Sequence, residues 1–200
     1  MDIRQRKRAL RREMVARLLA LDPADRRRQE ADLLARFPTL PGLDRAGTVL
    51  LYATAFPEEI PTGPMLRLIW ERGQRLVCPR VNRPARRLVL HAIADPADLV
   101  PGTLGIPEPR PECPEVAPEA IDWALVPGLA FNAAGYRLGR GAGCYDRLLP
   151  QLRPDAPRWA LAFDPQWVED LPVEPHDQPL DGIASPRQTI IRGPSIRDIF

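Results

Sequence analysis

The sequence predicts a single α/β domain, with a mostly parallel sheet flanked by helices and an N-terminal helical pair. Three observations predict it. Short, continuous apolar runs bounded by loop signals, at 48–53, 122–126 and 158–163, suit strands buried on both faces. The first run is followed by a helical segment (64–72), closed by Gly73, and then by another strand candidate (75–79), which makes a β-α-β unit. Ahead of all these, residues 2–37 carry apolar side chains at helical spacing.

In chain order, Asp2 can cap a first helix running to about Leu21, because Ile3, Leu10, Met14, Leu18 and Leu21 share one face. Asp22-Pro23 reads as a stop and restart, with Asp22 as N-cap and Pro23 at the first helical position of a second helix ending near Phe37. After the 48–53 strand comes a loop carrying Glu58, Glu59 and Thr62. A right-handed crossover through 64–72 puts that loop at the carboxyl end of a strand, where α/β folds bind ligands. Residues 88–93 are a further strand candidate, and His91 among its apolar neighbours reads as a buried structural histidine. The proline- and glutamate-dense stretch 101–119 predicts an ordered loop without regular structure. The 122–126 strand closes at Pro127-Gly128. From Gly143 onward Tyr145, Leu148, Leu149 and Leu152 have helical spacing, broken early by Pro150. Residues 182–185 and 189–191 form a last strand pair.

Two hundred residues suit one domain with a substantial core, and a 44% hydrophobic, 27% charged composition indicates neither disorder nor membrane residence. The arginine-rich start lacks the apolar core of a signal peptide, so the expected location is cytoplasmic. Cys78, Cys113 and Cys144 are odd in number and far from each other and from His91 and His176, which argues against disulfide and zinc frameworks. A net charge of +2 implies neither a nucleic-acid nor a membrane partner. Lys7 is the only lysine among 28 basic side chains, which points to a place where a compact ammonium is needed and a planar guanidinium is not equivalent, the alternative being chance survival of one lysine in an arginine-rich composition. Lys7 and Arg11 are neighbours on the first helix and can reach one anion together. Spacing alone favours a solvated basic face there.

The densest signal is Arg137-Leu138-Gly139-Arg140-Gly141-Ala142-Gly143-Cys144-Tyr145-Asp146. Alternate glycines let backbone N–H groups close around an anion, especially ahead of a helix. The run is neither a Walker A motif nor G-x-G-x-x-G. Arg137 and Arg140 can fork onto phosphate oxygens and Asp146 is a hard oxygen donor, a set that suits a nucleoside triphosphate with Mg²⁺. A purely structural turn is the alternative.

Arg-Leu-Gly-Arg-Gly-x-Gly-x-Tyr-Asp, preceded by Val-Pro-Gly-Leu-Ala-Phe-Asn at 126–132, resembles the signature of the 5-formyltetrahydrofolate cyclo-ligase (5,10-methenyltetrahydrofolate synthetase) family. Lys7-Arg8-Ala9-Leu10-Arg11, Glu59-Ile60-Pro61-Thr62, Gly105-Ile106-Pro107-Glu108-Pro109 and Leu171-Pro172-x-Glu174-x-His176-Asp177 follow the family's order and spacing. The resemblance implies ATP- and Mg²⁺-dependent cyclisation of 5-formyltetrahydrofolate to 5,10-methenyltetrahydrofolate on a single α/β domain, by a monomer or weak homodimer. Carried onto this chain, it implies that Lys7 and Arg11 hold ATP phosphates and that residues 137–145 wrap the nucleotide. Arg140 then stabilises the transferring phosphoryl group, and Asp146 and Asp177 are Mg²⁺ ligands. Glu59 contacts the folate through pterin N–H donors, Thr54 lies on the substrate side, and Tyr145 lines the boundary between the ligands. Cys144 departs from the family's usual Tyr or Phe, which implies altered packing or a weaker folate contact.

Two rivals stand beside this reading. One is a nucleic-acid-binding module using the arginine-rich helices. The other is an ATP-independent enzyme acting on sugar phosphates or acyl-CoA.

Overall fold

The computed structural model describes residues 2–85 and 87–192. Helix α1 (Ile3–Leu19) starts in a capping box, in which Asp2 accepts the Gln5 N–H and the Gln5 side chain accepts the Asp2 N–H. Helix α2 (Pro23–Arg36) starts where Asp22 accepts the N–H groups of Ala24 and Asp25, with Pro23 at the first helical position.

Strand β1 (Thr48–Leu50), helix α3 (Gly63–Glu71) and strand β2 (Arg75–Asn82) form the expected parallel β-α-β unit, with Val49 opposite Leu76. Strand β3 (Arg87–Ala92) returns antiparallel to β2. A small hairpin follows, made of β4 (Leu99–Pro101) and β5 (Pro107–Pro109), and then β6 (Glu115–Val116) beside β3. Strand β7 (Trp123–Leu125) pairs parallel with β1 on the side away from β2. A second hairpin, β8 (Ala130–Phe131) and β9 (Arg137–Leu138), leads through the glycine loop into helix α4 (Cys144–Leu148). Strands β10 (Arg158–Leu161) and β11 (Gly182–Ala184) extend the parallel sheet beyond β7, and β12 (Thr189–Ile191) closes that edge antiparallel.

Among the described residues the main sheet runs β12-β11-β10-β7-β1-β2-β3-β6, and its five central strands are parallel. Strand alternation divides the core. Val49, Leu51, Leu76, Trp123, Trp159 and Leu161 pack with Leu18, Leu33, Phe37, Met65 and Ile69 under the first three helices. Leu50, Val77, Ala124, Val126 and Ala160 pack with Leu148 and Leu149 of α4 and the turn after it. Both faces are covered, which is why the strands read as continuous apolar runs instead of alternating ones. From β1 the chain builds outward first through β2 and later through β7, so the carboxyl ends of β1 and β7 flank a topological switch point.

Several expectations need correction. The stretch 101–119 is not irregular throughout: β4, β5 and β6 use it, since proline tolerates short edge pairings where its missing N–H faces away from the ladder. The strand expected over 75–79 runs to Asn82, because the β2–β3 ladder continues to the Asn82–Arg87 pair. The runs 48–53 and 158–163 are strands only over Thr48–Leu50 and Arg158–Leu161, and α1 stops at Leu19. The glycine loop lies between a strand and a helix as expected, the strand being β9 of the β8–β9 hairpin. His91 is buried, with Nδ1 donating to the Cys113 carbonyl at 2.8 Å, in keeping with a structural role. No helix among the described residues is long and apolar enough to cross a membrane.

Candidate active site

A cavity of about 610 Å³ opens at the carboxyl ends of β1, β2 and β7, a size typical of small-molecule sites. One wall is α1. Met14 is fully buried against Leu129, Ala130, Leu138 and Leu171, which docks the helix onto the β8–β9 hairpin that carries the glycine loop. Lys7 and Arg11, about one helical turn apart on α1, therefore border the same cavity. Arg11 Nε donates to the Gly139 carbonyl at 2.8 Å.

Lys7 is only 6% exposed, so the solvated face that spacing favours does not hold for it. Its Nζ donates to Glu174 Oε2 at 2.8 Å and Asp177 Oδ2 at 2.6 Å. Asp177 Oδ2 also accepts the Glu174 N–H at 2.7 Å, so the Glu-x-His-Asp turn closes over the ammonium. The Lys7 hydrogen bond holds the Glu174 carboxyl below the usual carboxylate range. Three donors on a compact head suit this cage better than a planar fork.

The glycine loop earns its composition at two points. Gly141 has φ +105°, and a Cβ there would lie 3.1 Å from the Arg11 Cζ. Gly143 has φ +64° and caps α4 in the left-handed region. Leu138 is buried in β9, Cys144 is the first residue of α4, and Ala142 presents its carbonyl to Arg147 at 2.7 Å. All of residues 137–146 border the cavity.

The two arginines of the loop have different surroundings. Arg137 is 5% exposed and donates from Nη1 to Asp146 Oδ1 at 2.9 Å, with its guanidinium over the Tyr145 ring. Arg140 reaches across the cavity, where Nη2 donates to Glu58 Oε1 at 2.7 Å and Glu59 Oε1 at 3.1 Å. Its Cζ stacks 3.6 Å from the centre of the Phe56 ring. Glu59 Oε2 accepts the Ala55 and Phe56 N–H groups at 2.9 and 3.3 Å, so both of its oxygens are in use.

Thr54 is the one expected site residue that does not border the cavity. Its hydroxyl donates to the Ile60 carbonyl at 2.7 Å and its oxygen accepts the Thr62 N–H at 2.7 Å. That hydroxyl is consumed in closing the loop that presents Glu58 and Glu59, and its part is to shape that loop.

Asp146 Oδ1 accepts Arg137 and, at 3.2 Å, the Gln178 N–H, which ties Asp146 to the residue after Asp177. Burial alone would raise the Asp146 pKa, but the charge and hydrogen bond of Arg137 outweigh it and hold the carboxyl below its ordinary value. Among the described residues no cluster of three His, Cys, Asp or Glu would hold a cation unaided. Asp146 Oδ2 and Asp177 Oδ1 lie outside these hydrogen bonds. They fit a Mg²⁺ that takes one or two carboxylates and completes its shell with phosphate oxygens and water. Tyr52 and Tyr145 are half-buried in the cavity wall, and desolvation pushes both phenols up.

Phe56 and Tyr52 are members of the site that sequence does not single out, while Glu58 and Glu174 appear there only within a loop and a motif block, without a role. The signal for Glu174 was present in the Glu-x-His-Asp block, where a buried lysine needs carboxylates. Glu58 is placed on the ligand side by its loop, but nothing local gives its partner, which lies 82 positions away.

The fold and cavity define an α/β enzyme whose site sits at a switch point, with a cationic glycine loop facing a carboxylate-bearing loop. A family model described as the 5-formyltetrahydrofolate cyclo-ligase family matches residues 3–186. Among curated relatives, 5-formyltetrahydrofolate cyclo-ligase of Escherichia coli K12 is 32% identical over 84% of this chain and 93% of its own. The Mycolicibacterium smegmatis enzyme of the same name is 32% identical over 76% and 80%. The NMR structure of Aquifex aeolicus 5,10-methenyltetrahydrofolate synthetase superposes with a TM-score of 0.80, at 30% identity over 92% of each chain. The chain belongs to the 5-formyltetrahydrofolate cyclo-ligase family. It is an ATP-dependent ligase of folate one-carbon metabolism.

Proposed function

We propose that the protein converts 5-formyltetrahydrofolate and ATP to 5,10-methenyltetrahydrofolate, ADP and phosphate, with Mg²⁺. The observation that carries this reading is the meeting of two unlike ends in one cavity. Lys7, Arg11 and the glycine loop bring cationic and N–H donors to one end, while Tyr52, Pro79, Val81, Leu88 and Ile106 make the other apolar. A phosphate-rich ligand suits the first and a flat heterocycle the second.

The chemistry follows from a poor leaving group. An amide oxygen cannot depart as such. In the proposed sequence the N5-formyl oxygen attacks the γ-phosphorus of ATP, forming an O–P bond as the bond to ADP breaks. N10 then adds to the activated carbon, loses its proton to solvent, and the C–O bond breaks to release phosphate and leave the amidinium. The protein's share is positioning and charge stabilisation. Lys7 and Arg11 hold the phosphates, Arg140 exchanges Glu58 and Glu59 for the transferring phosphoryl group, and Tyr145 separates the two ligands. Glu59 borders the folate and keeps its loop closed. Asp146 and Asp177 would hold Mg²⁺, which when bound offsets charge on the phosphates.

The test is direct. Purified protein with Mg-ATP and 5-formyltetrahydrofolate should give the near-UV absorbance of the methenyl product, only with ATP present. Folded protein giving no absorbance change would overturn the proposal.

A further inference from the structure

The apolar end of the cavity contains one charged group that no step above uses. Glu108, on β5, is 1% exposed yet borders the cavity. Its Oε1 is buried with no hydrogen-bond partner. Its nearest cation is Arg80, whose Nη1 stands 3.9 Å from Oε2 and donates instead to the Pro109 carbonyl at 2.6 Å. A buried carboxylate oxygen without a donor is costly, and such groups are retained where a ligand supplies the missing bond.

The fold holds this carboxylate in place. Glu108 lies opposite Val100 in the β4–β5 hairpin. The turn begins at Gly102, where a Cβ would sit only 2.4 Å from Glu108 Oε2. Any side chain at 102 would displace the carboxylate, so glycine there keeps one oxygen packed while Oε1 stays unpartnered. Around it Pro79, Val81, Leu88 and Ile106 offer flat apolar contact.

We propose that Glu108 is a specificity-determining residue for the folate, its Oε1 accepting an N–H of the 2-amino group on the 2-amino-4-oxopyrimidine edge of the pterin. This rests on the cyclo-ligase reading above. The chemistry separates the two substrates. The pterin edge carries adjacent donors, the 2-amino group and N3–H, and suits a carboxylate. The adenine edge sets its amino donor beside a ring-nitrogen acceptor, which a carboxylate repels. Glu59 differs from Glu108 in that both its oxygens are bonded within the protein until Arg140 turns to the phosphoryl group.

The experiment compares wild type, E108M, E108Q and G102A for turnover and for equilibrium binding of 5-formyltetrahydrofolate without ATP. The ligands are the natural substrate and its 2-desamino-2-methyl analogue. Loss of one charge-assisted hydrogen bond at a buried site corresponds to roughly a 10- to 100-fold rise in KM and Kd for the folate. E108M should show that rise with KM for ATP unchanged, and E108Q and G102A should show smaller rises in the same constants. The difference between wild type and E108M should shrink to within about twofold for the desamino analogue, which a merely structural role would not produce. Folate constants unchanged in E108M, an equal loss for both ligands, or a rise confined to ATP would each overturn the proposal. Should E108M fail to fold, G102A with the two ligands decides by the same criteria. Wild type that does not turn over 5-formyltetrahydrofolate would overturn the functional reading as well, a result distinct from active wild type with unaffected variants.

Discussion

Arg140 and Glu59 are bonded to each other across 81 positions of chain, with Nε and Nη2 both donating to Oε1 at 3.2 and 3.1 Å. With Glu58 as the second acceptor, this joins the tip of the glycine loop to the loop after β1. A guanidinium satisfied by two carboxylates has to leave them before it can serve a phosphate. Arg140→Ala should therefore lower kcat by about 10²–10³-fold, the usual cost of removing one preorganised donor to developing charge. Arg140→Lys, which keeps the charge but cannot fork, should recover only part of that loss. Steady-state kinetics with ATP varied will check it, and an unchanged kcat in Arg140→Ala would contradict the role.

Lys7→Arg is the sharper substitution on α1. The cage between Glu174 and Asp177 bonds the ammonium at 2.8 and 2.6 Å and leaves it almost no exposure. A guanidinium is wider and its donors are coplanar, so it should displace the Glu174–Asp177 turn. The expected result is a loss of about 10²-fold in kcat/KM for ATP despite conserved charge. Retained activity would mean that the solitary lysine is an accident of composition.

Asp146 supplies a pH prediction. Its folded pKa is lowered, since Arg137 outweighs burial, so its contribution is present above the unfolded carboxylate value of about 3.9 and is lost as pH falls through the lower folded value. Asp146→Asn leaves the buried Arg137 unpaired and should cost about 3 kcal/mol at neutral pH. The gap between wild type and variant in thermal unfolding should narrow below about pH 4. A gap independent of pH would show that the pair is not the cause.

Cys144 borders the cavity at the start of α4, and Arg147 Nη2 lies 3.9 Å from its sulfur. Cys144→Tyr should add apolar cover and lower KM for the folate by about tenfold at most, following the area that one ring can bury. Binding titrations with 5-formyltetrahydrofolate will measure it, and weaker binding would mean the space is already filled.

The parallel sheet was legible because strands buried on both faces read as unbroken apolar runs, and the helix starts because Asp2 and Asp22 cap in sequence-local ways. Short strands such as β5, β8 and β9 were not, since a two- or three-residue pairing is decided by its partner and not by its own residues. The same division holds in the site. The glycine loop and Lys7 are visible as motif and as singular residue, whereas the Lys7 cage, the Arg140 clasp and the inward turn of Thr54 come from pairings between distant segments.

The central claim is that ATP activates the formyl oxygen itself. It is tested most directly by single turnover with 5-formyltetrahydrofolate carrying ¹⁸O in the formyl group, followed by mass analysis of the released phosphate. Transfer of the formyl oxygen to phosphorus predicts one ¹⁸O in each phosphate formed alongside the methenyl product. Unlabelled phosphate would mean that water, not the formyl oxygen, accepts the phosphoryl group, and would contradict the account.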